Sequence, residues 1–332
     1  MLLVSFGGPE GPCDVLPFLE NVVRGKNVPA ARLEAVAGHY EPFGGVSPAN
    51  AEVRALLVAL VGEMNAEGPH LPVYWGNRNW HPMLADTVRQ MADDGIRRAV
   101  AFVTSPFGSY PSCRQYREDI ERARQEVGLE APEIDKLRLF YNHPGFIEAM
   151  ADRARQALEE IPPERRDTGR ILFSAHSIPQ SMAKTSPYES QLREASSLVA
   201  GRLGRSEWQL VYQSRSGPPT EPWLGPALGD AIRQLAAQQV HDVVIVPMGF
   251  MCDNMEIVYD LDIEAAGLCE ELGLNLARAG VPGTHPRIVQ MIRELIMERL
   301  APGVPRLALG SQGRWPDQCP PDCCLTRPAP PG

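Results

Sequence analysis

Glu256, Asp260 and Glu264 recur every four residues within the segment 251–264. On a helix this spacing lines three carboxylates along one side. Such a stripe can accept and pass protons, or hold a hard divalent cation in transit. Like charges at i, i+4 cost an isolated helix a few tenths of a kcal/mol per pair, so some gain elsewhere is expected to offset them. A solvated helix face is the common explanation of this pattern. Here, however, the stripe follows directly on the apolar run Val243–Gly249, which reads as a buried strand, and Met251, Cys252 and Met255 are mixed into it. Open α/β sheets place their chemistry where the carboxyl end of a strand feeds a helix.

The matching base is His176. Residues 170–175 read as an apolar strand that runs into a polar turn and stops at Pro179, which puts the imidazole at the strand's C-terminal edge. The other histidines are weaker candidates. His81, His143 and His285 each precede a proline and read as turn or helix-entry residues, while His39, His70 and His241 lie in polar contexts. If the strands ending near 175 and 247 are neighbours, His176 and Glu256 approach each other across one cleft. A neutral imidazole beside a carboxylate suits proton abstraction near neutral pH, and equally a transient divalent metal. The turn Gly7–Gly11 is no phosphate cradle, because Pro9 and Pro12 remove N–H donors, and no Gly-x-Ser-x-Gly elbow occurs.

The elements that must position these groups alternate along the chain. Apolar runs at 2–6, 72–76, 98–104, 137–141, 170–175, 208–213, 242–247 and 274–278 read as strands. Helical patterns separate them, among them 14–24, 50–66, 83–94, 111–127, 187–203, 226–238, 253–272 and 285–299. The alternation predicts an α/β fold with parallel sheets. Residues 82–100 overlay 226–244 at a constant offset of 144, with seven ungapped identities and the apolar phase kept at Val88/Ile232, Met91/Leu235 and Ile96/Val240. A duplication follows: two similar Rossmann-like lobes with a cleft between them. The expected limits are 1–145 for the first lobe and 146–300 for the second, with a boundary near 145–168. Residues 301–332 form a Cys-rich tail packing back on the N-terminal lobe.

Composition narrows the function. The 32 basic and 41 acidic residues leave a net charge of −9, which argues against nucleic acid or an anionic membrane surface as partner. No apolar run approaches the ~20 residues that span a bilayer, and no signal segment leads the chain, so the expected location is the cytoplasm. Of seven cysteines, Cys319, Cys323 and Cys324 fall within six residues. In a cytosolic protein that clustering points to metal before disulfide.

Six segments carry a family resemblance: Ser-Phe-Gly-Gly-Pro (5–9), Phe-Gly-Gly-Val-Ser-Pro (43–48), Tyr-Asn-His-Pro-Gly-Phe (141–146), Ser-Ala-His-Ser-Ile-Pro (174–179), Gln-Ser-Arg-Ser-Gly-Pro (213–218) and Met-Glu-Ile-Val-Tyr-Asp (255–260). In this order, from about residue 2 to 300, the chain resembles ferrochelatase, the enzyme that inserts ferrous iron into a porphyrin in haem synthesis. It looks closest to the actinobacterial type, which makes coproporphyrin-haem. The resemblance implies chelatase-type lobes, each with a parallel four-stranded sheet, and a cleft whose catalytic pair is His176 and Glu256, meeting the substrate Fe²⁺. Asp260 and Glu264 would be the proton or metal path. Phe6, Arg24, Ser47 and Arg78 match porphyrin-binding positions, and Lys26 joins Arg24 as a grip for propionates. Insertion releases two N–H protons and needs a bent macrocycle, so a base, an exit path and rigid walls are all required.

Several ferrochelatases also carry a [2Fe–2S] cluster. Cys113 stands at the internal ligand position of that pattern, with Cys319, Cys323 and Cys324 supplying the rest. Porphyrin, ferrous iron and other haem-pathway enzymes are the implied partners. Protoporphyrin IX is the alternative substrate. A sirohydrochlorin cobalt chelatase shares the fold but usually pairs its histidines. A non-catalytic porphyrin carrier would have no use for the acidic stripe, and an iron–sulfur redox module would make the cysteine tail the point of the protein.

Overall fold

The computed structural model describes residues 1–26, 28–217 and 220–326; Asn27, Pro218 of the 213–218 motif, Pro219, and residues 327–332 of the tail lie outside them. Among the described residues, eight strands form two four-stranded parallel sheets. The first holds β1 (Leu2–Ser5), β2 (Tyr74–Asn77), β3 (Arg98–Val103) and β4 (Glu133–Lys136), in the order β2-β1-β3-β4. The second holds β5 (Arg170–His176), β6 (Trp208–Gln213), β7 (Asp242–Val246) and β8 (Asn275–Arg278), in the equivalent order β6-β5-β7-β8. Helices cover the sheet faces, so β1 and β7 are buried along their whole length and their sequences are near-continuous apolar runs.

The duplication is visible in three dimensions. Helices Leu84–Asp93 and Leu228–Ala237 stand 144 residues apart. Each follows a cis X-Pro bond, at His81–Pro82 and Gly225–Pro226. In each unit the carbonyl of that proline accepts a strand N–H, from Asn77 at 2.7 Å and from Tyr212 at 2.9 Å. Val88 and Ile232 are both fully buried against their own sheets, where each aliphatic side chain contributes roughly 1.5–3 kcal/mol.

One expectation, the strand at 137–141, needs correction. Residues 137–141 are not a strand; the chain pairs earlier, with Arg98 opposite Glu133 and Ala101 opposite Lys136. β4 is an edge strand whose charged residues meet solvent and Arg98, so it lacks the apolar run that marks a strand in sequence. The expected boundary at 145–168 is occupied by helix Pro144–Glu159, whose Phe146, Ile147, Met150 and Ala154 are fully buried. That helix approaches helix Pro286–Leu300 so closely that a Cβ on Gly145 would lie 2.6 Å from the Arg287 carbonyl oxygen. Finally, the chain divides by contact into Met1–Thr104 with Gln115–Leu137 and Cys252–Met255, and Ser105–Arg114 with Arg138–Met251 and Glu256–Gly332. The partners of the tail belong to the second unit. They include Arg114, Arg138 and Asn142, which the expected limit assigned to the first lobe.

The tail is held by buried charge. Arg138 donates from Nε and Nη2 to the two carboxylate oxygens of Glu298 at 2.8 and 2.9 Å, and from Nη2 to the Leu307 carbonyl at 2.8 Å. Glu298 also accepts the Leu307 N–H at 3.1 Å. Farther along, Glu194 accepts the N–H groups of Ser311 and Gln312 at 2.7 and 3.0 Å.

Candidate active site

The order β6-β5-β7 makes β5 and β7 neighbours, with Phe173 opposite Val246 and His176 three residues farther along β5, so the condition for His176 and Glu256 to approach is met. Beyond β7 the chain enters helix Met255–Tyr259, widens into a π turn over Asp260–Ala265, and resumes as helix Ala266–Glu271. The sequence pattern alone predicted one regular helix across this stretch. The π turn explains how a period of four is kept. An α-helix drifts in phase over successive steps of four, and a wider i→i+5 turn resets it. Ile257, Leu261, Ala265 and Cys269 are thereby all buried in the core against the sheet. Glu256, Asp260 and Glu264 run beside them in the same step, and Asp260 is influenced by the charges of both other carboxylates.

His176 Nε2 lies 3.1 Å from Glu256 Oε1, with both side chains still reached by solvent (32 % and 46 % exposed). The other ring nitrogen, Nδ1, faces the Ser177 carbonyl oxygen. A carbonyl can only accept, so Nδ1 carries hydrogen, and Nε2 meets a carboxylate favourably only when it carries hydrogen too. The geometry is that of an imidazolium–carboxylate pair. Enclosure by protein opposes the charge on His176, but the Glu256 charge and hydrogen bond, the Ser177 carbonyl and the Asp260 charge outweigh it and raise the imidazole to about 9. Enclosure likewise raises Glu256, and the imidazolium more than reverses this, leaving the carboxyl below its ordinary value. The neutral imidazole expected from sequence is therefore charged at neutral pH.

Asp260 differs from both. Burial raises it, the Ser214 hydroxyl that donates to Oδ2 lowers it, and the charges of Glu256 and Glu264 raise it again, to about 6. It thus exchanges protons near neutrality. Glu264 is exposed at the outer end of the stripe. Asp262, on another side of the turn, is bound by Arg278 through two hydrogen bonds of 2.9 and 2.8 Å.

In the first unit Phe6 is exposed (41 %) and meets Phe18 edge-on at 6.1 Å. The Arg78 guanidinium lies 5.6 Å from the Phe6 ring centroid and 4.4 Å from that of Tyr116, and its Nε donates to Asp119 at 2.5 Å. Only 4 % of the Arg78 side chain is exposed, so it supports Phe6 from within more than it reaches outward. Ser47 is buried; its N–H donates to the Pro9 carbonyl at 2.9 Å and its hydroxyl accepts the Ala49 N–H at 3.4 Å. Arg24 and Lys26 are exposed, Arg24 donating to Asn21.

Sequence reasoning did not single out Gln213, Ser214 or Tyr188. Tyr188 donates to the His176 carbonyl at 3.0 Å. Ser214 holds Asp260 from a left-handed backbone with φ of 57°, an uncommon conformation that recurs at functional sites. The signal for Gln213 and Ser214 was their place at and just beyond a strand end, within the 213–218 motif; Tyr188, the first residue of helix Tyr188–Arg202, carried none. His143 is excluded as a second base. It caps helix Pro144–Glu159 by accepting the Gly145 N–H at 3.1 Å, and burial together with the Arg138 and Arg287 charges presses it down to about 3.

Cys113 is buried on the turn Tyr110–Arg114. Arg114 reaches from that turn to the carbonyls of Pro321 and Cys323 at 2.7 and 2.8 Å. Cys324 is buried, and its thiol is raised well above the ordinary range by burial and then by Cys113, Cys323 and Cys319. The Trp315 indole donates to Cys319 Sγ at 3.3 Å. Even so, among the described residues no group of three or more His, Cys, Asp or Glu side chains is arranged to hold a metal ion. Cys269 is packed in the core, and no described helix is long and apolar enough to cross a membrane.

Comparison with known proteins agrees with this architecture. The ferrochelatase family model matches residues 1–300. A ferrochelatase of Rhodopirellula baltica is 55 % identical over 98 % of this chain and 93 % of its own length. A coproporphyrin III ferrochelatase of Frankia alni is 50 % identical over 98 % of this chain and 86 % of its own. Among solved structures, SirB from Bacillus subtilis with Fe³⁺ aligns with a TM-score of 0.52 at 13 % identity, covering 91 % of this chain and 96 % of that one, a likeness of fold. The chain belongs to the ferrochelatase family.

Proposed function

We propose that this protein inserts ferrous iron into coproporphyrin III, giving coprohaem in haem biosynthesis. The observation that carries this is the His176–Glu256 pair, 3.1 Å apart at the carboxyl end of β5 and backed by Asp260. The identity of the chain to relatives named for coproporphyrin III supports the choice of porphyrin.

The chemistry balances around that pair. Two pyrrole N–H bonds break, two Fe–N bonds form beyond those made by the nitrogens that carry no hydrogen, and two protons leave. At neutral pH the imidazolium must first release its own proton. An arriving substrate dication beside the pair favours that release by charge repulsion. Glu256 is in contact to receive the proton, Asp260 lies next along the stripe with a carboxyl that exchanges near pH 6, and Glu264 opens to water. Once neutral, His176 can take a pyrrole proton or touch the metal. Phe6 offers an exposed aromatic face for the macrocycle. The exposed Arg24 and Lys26 suit carboxylates of a substrate that carries four, and Ser47 and Arg78 would shape the wall behind them. The same reading puts the enzyme in the cytoplasm with haem-pathway enzymes as its suppliers. Following the spectral change with ferrous iron and each porphyrin tests it. Coproporphyrin III is expected to turn over at least about tenfold faster than protoporphyrin IX; turnover of neither would return the protein to a carrier.

A [2Fe–2S] cluster on Cys113, Cys319, Cys323 and Cys324 is part of the proposal. Its support is the donor set: four thiols, the number such a cluster takes, close enough that three of them act electrostatically on Cys324. When bound, the cluster would supply four metal–thiolate bonds joining the tail to the Cys113 turn. The purified protein is expected to be coloured. Cys113→Ser should abolish the visible bands and the stoichiometric iron and sulfide, whereas colourless, iron-free wild-type protein purified without air would rule the cluster out.

A further inference from the structure

Gln213 ends β6 directly opposite His176 in the parallel register. Its main-chain carbonyl accepts the Ser177 N–H at 2.8 Å, so the two strands stay joined one residue past the imidazole. Its side chain leads to the acidic helix instead. Nε2 donates to the Glu256 carbonyl oxygen at 2.7 Å and to Asp260 Oδ2 at 3.4 Å. The residue is 5 % exposed. A carboxamide nitrogen has two hydrogens, and both face an acceptor here. The reversed amide would turn its oxygen toward a carbonyl and a carboxylate, so these two acceptors fix its orientation. Gln213 Oε1 has no protein partner, which leaves the nitrogen end to hold the side chain in place.

One residue is therefore tied through its main chain to the strand that carries His176 and through its side chain to the helix that carries Glu256. Ser177 is tied down as well, its hydroxyl donating to the Leu224 carbonyl at 2.8 Å, and the Tyr188 hydroxyl fixes the His176 carbonyl. The imidazole end of the pair is thus anchored several times over. The Glu256 carboxylate meets the imidazole, so its place depends on where its short helix sits against β6.

We infer that Gln213 is a positioning residue: its carboxamide clamps the Glu256 helix to the end of β6 and so sets the distance between His176 and Glu256. This rests on the pair being the site of chemistry. The clamp touches neither porphyrin nor iron in this role; it acts through Glu256.

Gln213→Met keeps the size and removes both donors. Gln213→Glu keeps the shape and sets an oxygen against the two acceptors. Both are expected to lower kcat for iron insertion by about 10- to 100-fold, the scale of a misplacement near 1 Å, with porphyrin KM and dissociation constant within about 2-fold of wild type. In the Glu256→Gln background, Gln213→Met is expected to cost less than about 2-fold more, since a residue that acts through Glu256 has nothing left to position. A crystal structure of Gln213→Met should show the His176 Nε2–Glu256 contact opened beyond hydrogen-bond range. Unchanged kcat in both single variants, or the same loss with and without Glu256, would overturn the clamp. So would a crystal structure of Gln213→Met with the pair still at its wild-type distance. That structural measurement stands apart from activity. If the wild-type enzyme inserts no iron, the functional reading fails while the structure still decides the clamp.

Discussion

His176→Ala is expected to lower the rate of iron insertion by roughly 10²–10⁴-fold, the range spanned by positioned acid–base groups, while porphyrin still binds. The imidazole is the histidine at the end of β5, it is paired with Glu256, and the buried His143 is a neutral helix cap. Porphyrin binding should persist because the aromatic and cationic groups proposed to hold it, Phe6, Arg24 and Lys26, are in the first unit and unaffected by the substitution. Fluorescence quenching for binding and single-turnover absorbance for insertion separate the two. Turnover within about 3-fold of wild type would remove His176 from the chemistry.

The pH dependence follows with a definite sign. An imidazole raised to about 9 is protonated at neutral pH, so if the neutral form is the reactive one, kcat/KM rises with pH toward that value. Glu256→Gln removes the charge and the charge-assisted hydrogen bond that raise it. Enclosure then meets less opposition, only the Ser177 carbonyl and the Asp260 charge remaining, and the limb should move down from about 9. A limb that stayed in place would mean that another group sets it. The raised imidazole also adds to fold stability, fully below pH 6.5 and progressively less as pH climbs through about 9, while the lowered Glu256 carboxyl loses its share as pH falls and it is protonated. The amount is small because water reaches both side chains.

The largest effect on stability is expected from Glu298→Ala. Its carboxylate accepts both forks of Arg138 and the Leu307 N–H, and the two side chains are 1 % and 4 % exposed. Removing one partner of such a pair strands the other charge in the interior, at a cost of about 3–5 kcal/mol. Total domain stability is commonly about 5–15 kcal/mol, so the urea midpoint should fall by a large fraction of its value with little change in slope. The tail should loosen too, because Leu307 loses its acceptor and Arg138 loses the carboxylate that aims it at the Leu307 carbonyl. Faster amide exchange over residues 305–313 would report that. The double variant Arg138→Met with Glu298→Leu removes both charges and should recover much of the loss. A loss under about 1 kcal/mol for Glu298→Ala would mean that the pair is solvated and carries little.

The sequence was legible where a residue's role follows from its neighbours along the chain. Strands with apolar runs, such as 242–247, and helices with an apolar phase, such as 226–238, were placed to within a residue or two. β4 was not, because an edge strand with charged residues facing solvent lacks the run of apolar side chains. Helix Pro144–Glu159 lay where a boundary was expected.

By itself the sequence determined the α/β class, the duplication, the place of His176 at a strand end and the four-residue acidic stripe, since local periodicity is written in residue spacing; that His176 meets Glu256 depended on strand order. Tertiary structure alone decided what those groups are. Enclosure beside a carboxylate makes His176 a cation at neutral pH and moves Asp260 to about 6. The π turn keeps the stripe in phase, Asp119 occupies Arg78, and Gln213 bridges from β6 to the Glu256 helix. Each of these depends on which distant atoms exclude water or supply charge. Spacing along the chain records neither.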